Sequence, residues 1–188
     1  MRLDTLKHLA RVVLSAAEPE KVVVFGSASL LPLFPDLGDD HGGPLSRTFD
    51  ADMIPLPFVE DTGMMLHKTF GRLCAFHTHF GYYADIVRPE ISDMFPKGWE
   101  ERLIPVPDVE RAFCIEPHDM AAAKCQAGRP KDIELLALLI STGRLDPKLV
   151  TERLFAVAMR EAMIVTSHRC LADAVARAAT GIRSSGAS

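Results

Sequence analysis

Two aspartates, Asp50 and Asp52, stand two positions apart inside the apolar run "TFDADMIPLP". In a β-strand, residues i and i+2 project to the same face with their Cα atoms about 6–7 Å apart. Asp50 and Asp52 would therefore point together, while Ala51 and Met53 face the other way. Two carboxylates at this spacing can bind divalent metals about 3.5–4 Å apart, the separation used for in-line phosphoryl or nucleotidyl transfer. Oxygen ligands of this kind select Mg²⁺ or Mn²⁺ over zinc.

Two further motifs would complete such a site. Asp85 lies in the apolar stretch "YADIV", which is typical of a strand with an apolar back and an acidic front, and it would supply a third carboxylate. The run "VVVF" ends on Gly26-Ser27. A glycine there lets backbone N–H groups approach phosphate oxygens, and the Ser27 hydroxyl can donate to them.

Simpler interpretations of the same residues remain open. The two strand aspartates could pair with Arg47, and Asp85 with Arg88, as surface salt bridges. Ser27 could be an ordinary turn residue. The sequence excludes two other types of site. The order G-S-A-S does not match the G-x-S-x-G motif of serine hydrolases. Ile54 stands where an EF-hand loop requires a calcium ligand.

The stretch "AFHTHFGYYADIV" predicts a strand, or a hairpin bent at Gly81. His77 and His79 alternate within it. In an unbroken strand they would share a face with Asp85, which permits a second hypothesis, a zinc hydrolase. A structural role for the two histidines is the simpler interpretation.

The remaining elements must position these residues. An amphipathic helix is expected over 3–17, strands at "KVVVF", "FDADMIPL", "RLIPVP" and "RAFCIEP", a brief helix at "SASLLPLF", a loop at "DLGDDHGGPLS" and a helix over 60–72. After residue 116, four helices are expected: one over "PHDMAAAKCQAG", one from Pro130 to Gly143, one from Asp146 to about Met163, and one over 166–179. This order predicts an α+β fold with an α/β core over 1–116 and a helical portion over 117–188 packed on it.

Composition narrows the class of protein. The chain has 188 residues and a net charge of −4, with 11 basic and 18 acidic side chains in residues 1–116 but 10 and 7 in residues 117–188. No apolar run approaches the 18 residues of a membrane span. The four cysteines form no C-x-x-C pair, which excludes a zinc ribbon or thioredoxin motif. We expect a cytoplasmic protein with reduced thiols and no contact with membranes.

The strand ending in Gly-Ser, the D-x-D strand and the third acid together resemble the DNA polymerase β-like nucleotidyltransferase superfamily. The segment "KCQAGRPKDIELLALL" resembles the K-x-x-A-G-R-x-K-D pattern of bacterial nucleotidyltransferase-like proteins related to AbiEii-type toxins of type IV toxin–antitoxin systems. The stretches "FGYYADIVRPE" and "FPKGWEERLIPV" are also similar to that group. The resemblance covers roughly residues 22–145.

The resemblance implies a role for each matching position. Asp50, Asp52 and Asp85 would be the catalytic metal ligands, and Gly26 and Ser27 would hold the nucleotide phosphates. Lys124 would reach the triphosphate, Arg129 and Lys131 would contact phosphate or acceptor, and Asp132 would orient one of these bases. The implied activity is Mg²⁺- or Mn²⁺-dependent transfer of a nucleoside monophosphate from an NTP to a hydroxyl of RNA, such as tRNA, or of a protein, with an antitoxin as a further partner. The alternative is a degenerate module of the same fold that binds a nucleotide or a partner without turnover.

Overall fold

The computed structural model of the protein describes residues 1–39 and 42–185. Its helices are α1 (Leu3–Ala17), α2 (Glu60–Phe70), α3 (Ala75–Phe80), α4 (Pro117–Ala127), α5 (Pro130–Ser141), α6 (Pro147–Phe155) and α7 (Glu161–Ser185). Its strands are β1 (Lys21–Val24), β2 (Asp50–Leu56), β3 (Tyr83–Ile86), β4 (Ile104–Pro105) and β5 (Ala112–Cys114). Short 3₁₀ turns lie at Ser27–Leu30, Pro35–Gly38, Pro89–Met94 and Trp99–Arg102. The predicted α+β class is confirmed.

The five strands form one mixed sheet in the order β3-β2-β1-β5-β4. Strand β1 is antiparallel to β2 and parallel to β5. Strand β2 is parallel to β3, and β4 is antiparallel to β5 at the opposite edge. The proline-rich stretch "RLIPVP" thus supplies an edge strand, as its missing N–H donors predict.

The core of the sheet follows from its residue types. Val22, Val23 and Val24 of β1 are all fully buried. This strand lies between β2 and β5 in the sheet, and side chains on both of its faces are covered. Helix α1 contacts β1 and β2. It buries Leu6, Leu9 and Val13 at spacings of three and four, which is the periodicity of a single helical face.

The first half of strand β2, Asp50 to Met53, has one apolar face and one acidic face. Ala51 and Met53 are 1% and 0% exposed, whereas Asp50 and Asp52 are partly exposed. The alternation of side chains in a strand produces this difference, and the spacing of the two aspartates predicted it.

The connection between the Gly-Ser corner and β2 is folded where the structure describes it. Leu37 and Leu45 are buried, and the Leu45 N–H donates to the Leu37 carbonyl at 2.8 Å. The brief helix expected at its start consists of a single 3₁₀ turn, Ser27–Leu30, with a second turn at Pro35–Gly38.

The expectation of a strand or hairpin over residues 75–81 is wrong. These residues form α3, which begins after Cys74 and ends at Gly81. The Cys74 sulfur accepts the N–H of His77 and caps the helix, while Gly81 adopts a left-handed φ of 77° that ends it. These local caps outweigh the alternation of the sequence, which six residues are too few to distinguish from a helical pattern.

The described chain divides into two compact units. The first comprises Met1–Ile91 and Glu100–Glu116 and contains the whole sheet. The second comprises Ser92–Trp99 and Pro117–Ser188 and contains α4 to α7. Within the described ranges, no helix is long and apolar enough to cross a membrane.

The second unit is a helical assembly in which α7 packs on α4, α5 and α6. Leu136, Leu139 and Ala174 are fully buried there. The helix expected from Asp146 to Met163 ends earlier, at Phe155, and α7 begins at Glu161, before the predicted start at 166.

Candidate active site

The three predicted carboxylates lie on one face of two neighbouring strands. Strands β2 and β3 run in parallel, with Asp52 paired to Asp85 and Asp50 paired to Tyr83. Paired residues of adjacent strands are about 4.8 Å apart and project to the same side. Asp50, Asp52 and Asp85 therefore share a face, on which Tyr83 also lies.

The Gly-Ser corner adjoins this face. The N–H of Phe25 donates to the carbonyl of Asp52 at 2.9 Å, so the end of β1 lies against the acidic part of β2. Gly26 then adopts a φ of 63°, and a Cβ placed on it would be 2.4 Å from Oδ2 of Asp52. Only glycine leaves room for this carboxylate. The structure thus brings Gly26 and Asp52 together.

Ser29 supports the corner, and the sequence analysis had not singled it out. Its hydroxyl donates to the Gly26 carbonyl at 2.7 Å, and the residue is 2% exposed. Ser27 begins the 3₁₀ turn and is partly exposed beside Gly26. The hydrogen bond of Ser29 fixes the peptide that follows the glycine.

The carboxylates of Asp50 and Asp85 are bound by no cationic side chain among the described residues. Within the ranges that the structure describes, neither side chain makes an ion pair or a hydrogen bond. Arg88, the salt-bridge partner considered for Asp85, instead pairs with Glu60 at 2.5 Å. Arg47, considered for the strand aspartates, makes no ion pair with Asp50.

These residues fit a magnesium ion that is bound together with a substrate. No group of three His, Cys, Asp or Glu side chains among the described residues is close enough to hold a metal ion alone. Mg²⁺, however, is commonly held by one or two carboxylates, with phosphate oxygens and water completing its shell. The donors here are all carboxylate oxygens, and Asp50 and Asp85 make no ion pair in the part of the chain that the structure describes. The zinc alternative lacks this support because His77 and His79 lie on a helix and do not alternate along a strand.

Tyr83 extends the acidic face towards α3. Burial raises the pKa of Tyr83, as do the charges of Asp50, Asp85 and Asp52, while the charge of Arg72 lowers it. The net shift of the pKa is upward, so the phenol keeps its proton at neutral pH. The ring of His77 lies 4.8 Å from the ring of Tyr83.

No sequence pattern predicts that Tyr83 or Arg72 belongs to the site. The position of Tyr83, two residues before Asp85, would have indicated it once β3 was known to be a strand. Arg72 precedes α3 and carries no sequence signal that separates it from other exposed arginines.

Lys124, Arg129 and Asp132 form an ion cluster in the second unit. Lys124 donates to Oδ1 of Asp132 at 2.8 Å, and Arg129 donates to Oδ2 at 2.6 Å. Asp132 is 1% exposed, whereas Lys131 beside it is exposed. Burial tends to raise the pKa of Asp132, but hydrogen bonds from Arg129 and Lys124, with their charges, lower it overall.

This cluster orients Lys124 and Arg129 through one buried carboxylate. The assignment of Lys124, Arg129 and Lys131 to substrate phosphates stays a prediction.

Comparison with known proteins adds a family. The model of a family described as "Nucleotidyltransferase of unknown function (DUF6036)" matches residues 1–174. The match covers the acidic face, the Gly-Ser corner and the ion cluster of α4 and α5. No curated protein and no solved structure was found that matches the chain.

Proposed function

This chain belongs to the DUF6036 family of nucleotidyltransferases, and we propose that it transfers a nucleoside monophosphate from an NTP to a hydroxyl group. One observation carries the proposal: Asp50, Asp52 and Asp85 share a face of two parallel strands, and Gly26 adjoins Asp52 there. A family match alone would not locate a site. This geometry supports the acidic face as the site of that chemistry.

The reaction requires one bond to form and one to break. The acceptor oxygen attacks the α-phosphorus of the NTP, and the bond from that phosphorus to the bridging oxygen of the β-phosphate breaks. Pyrophosphate leaves in line with the attack, and the acceptor hydroxyl gives up its proton. The carboxylate of Asp85, which has no cation partner in the described chain, is suited to receive that proton.

Asp50 and Asp52 would hold Mg²⁺ or Mn²⁺, which supplies charge neutralisation of the triphosphate and of the departing pyrophosphate. Gly26 keeps the Asp52 carboxylate close to the backbone of the corner. Ser29 holds the carbonyl of Gly26, so the backbone N–H groups that follow are fixed before a phosphate binds.

The test is incorporation of label from each of the four α-³²P NTPs into RNA and protein acceptors, with Mg²⁺ or Mn²⁺. We expect Asp52→Asn to lower the rate on the order of 10³-fold, equivalent to about 4 kcal/mol of barrier, because a ligand charge is lost. Asp61→Asn is the control, because Asp61 is an exposed carboxylate in the first turn of α2. Equal labelling by wild type and Asp52→Asn would overturn the assignment.

A degenerate, binding-only module is the second candidate. It is favoured by the observation that no three metal-ligand side chains in the described ranges converge without a substrate. In that case an NTP would raise the melting temperature without Mg²⁺, and no label would be transferred. Magnesium-dependent stabilisation that is lost in Asp50→Asn would instead support the enzyme.

A further inference from the structure

The acid-free segment, residues 62–84, is the longest stretch of the chain without Asp or Glu. It carries Lys68, Arg72 and three histidines, and five of its residues are Phe or Tyr. The surrounding residues 1–116 are rich in acid, with 18 acidic side chains. A cationic, aromatic stretch in an acidic lobe is suited to a polyanion.

This segment leads directly to the acidic face. Tyr83, near its end, is the strand partner of Asp50. The ring centres of His77 and Tyr83 are 4.8 Å apart, and Arg72 lies in the turn that leads into α3, the helix that carries His77. An extended polyanion bound along the segment would therefore have one end beside the carboxylates.

His77 is oriented as a hydrogen-bond donor. The backbone N–H of Leu73 donates to Nδ1 of His77 at 3.0 Å. Because Nδ1 accepts this bond, the proton of the neutral ring is on Nε2. Nε2 therefore carries an N–H that can donate a hydrogen bond to a phosphate oxygen.

Aromatic rings of the segment are accessible to a ligand. Phe80 is 44% exposed, and the exposed ring of His79 meets it edge-on at 4.6 Å. Leu73, in the turn before α3, is 82% exposed. Accessible rings on which bases stack, interleaved with cations that contact the backbone, are the combination that binds single-stranded nucleic acid.

We propose that the acid-free segment binds the single-stranded end of a nucleic acid and presents its terminal hydroxyl to Asp50, Asp52 and Asp85. Arg72 and His77 contact its phosphates, and Tyr83 and Phe80 contact its bases. The inference rests on the proposed nucleotidyl transfer and names the acceptor for it. A protein acceptor is the competing outcome. An acidic protein tail would match the cations but would gain nothing from the exposed rings.

The test is fluorescence anisotropy with a fluorescein-labelled single-stranded RNA of about 12 nucleotides, and with DNA of the same sequence, without any NTP. We expect Arg72→Gln to weaken binding about tenfold at low salt and to reduce the slope of log K against log salt by about one. His77→Gln should act in the same direction. Arg88→Gln is the matched control, because that exposed arginine pairs with Glu60 outside the segment, and it should bind within about twofold of wild type.

Binding is measured without a nucleotide, so it tests the segment separately from catalysis. RNA binding that depends on Arg72, without label from any NTP, would support the segment and count against nucleotidyl transfer. The inference would be overturned if label from the NTP entered a protein and RNA was either not bound or bound equally by wild type and Arg72→Gln. That result would leave the proposed nucleotidyl transfer intact. Arg72 is exposed, so its variant tests the proposal even if His77→Gln does not fold.

Discussion

At the scale of single residues, the site depends on close contacts that allow few substitutions. Gly26 and Asp52 are so close that a methyl group on the glycine would meet the carboxylate. Asp50 and Asp85 are partly exposed, as Asp52 is, and neither makes an ion pair within the described chain. The close contact with Gly26 restricts the position of the Asp52 carboxylate, which suits its proposed role as a metal ligand beside Asp50.

Gly26→Ala should separate this contact from general backbone strain. We expect it to reduce NTP-dependent labelling on the order of 10²-fold, because the new Cβ must displace Oδ2 of Asp52. Gly143→Ala is the matched control: its φ is 69°, but nothing lies within 4 Å of its added Cβ. Both variants should lose about 1–3 kcal/mol of stability, measured by urea unfolding, because both glycines have a positive φ. Similar labelling by the two variants would show that the contact is unimportant.

At the scale of elements, the sequence predicted the acidic strand but not the helix beside it. Acidic and apolar residues alternate in "DADM", the first half of the strand, and burying Ala51 and Met53 there permits a single orientation. The stretch "AFHTHF" is too short for its period to be decisive, and α3 depends on caps at Cys74 and Gly81. The pairing of β3 with β2, which places Asp85 beside Asp52, is a tertiary contact that no local pattern encodes.

Asp132 connects the end of α4 with the start of α5, and its loss should destabilise the second unit. We expect Asp132→Asn to cost about 3 kcal/mol at pH 7, because Lys124 would remain buried beside a neutral partner. Glu134→Gln is the control in the same helix. Glu134 is 70% exposed and its ion pair with Arg177 is long, 3.9 Å, so this variant should cost less than about 0.5 kcal/mol.

The pH dependence of this variant has a definite sign. The pKa of folded Asp132 is lowered, so its contribution to stability is present above the unfolded pKa of about 3.9 and is lost as pH falls through the folded value. The difference in unfolding free energy between wild type and Asp132→Asn should therefore be constant from pH 7 to about 5 and shrink below about 4. A difference that grows on acidification would contradict the ion cluster.

At the scale of the whole molecule, the reactivity of the four cysteine thiols can be used to follow the unfolding of both units. Cys114 is in the first unit, Cys125 and Cys170 are in the second, and all three are at most 3% exposed. Burial raises the pKa of Cys114, which further suppresses its thiolate. Cys74 is partly exposed at the cap of α3. In the native protein we expect iodoacetamide to modify Cys74 alone, and Cys74→Ser to abolish that reaction.

Labelling in urea should then follow the packing of the second unit. Cys125 lies on α4 and Cys170 on α7, and these helices pack together, so both thiols should become reactive at the same urea concentration. Peptide mass spectrometry at each concentration gives the extent of modification at every cysteine. Modification of Cys170 well before Cys125 would mean that α7 separates from α4 while α4 stays folded, which contradicts a shared core in which Cys125 and Ala174 are both fully buried.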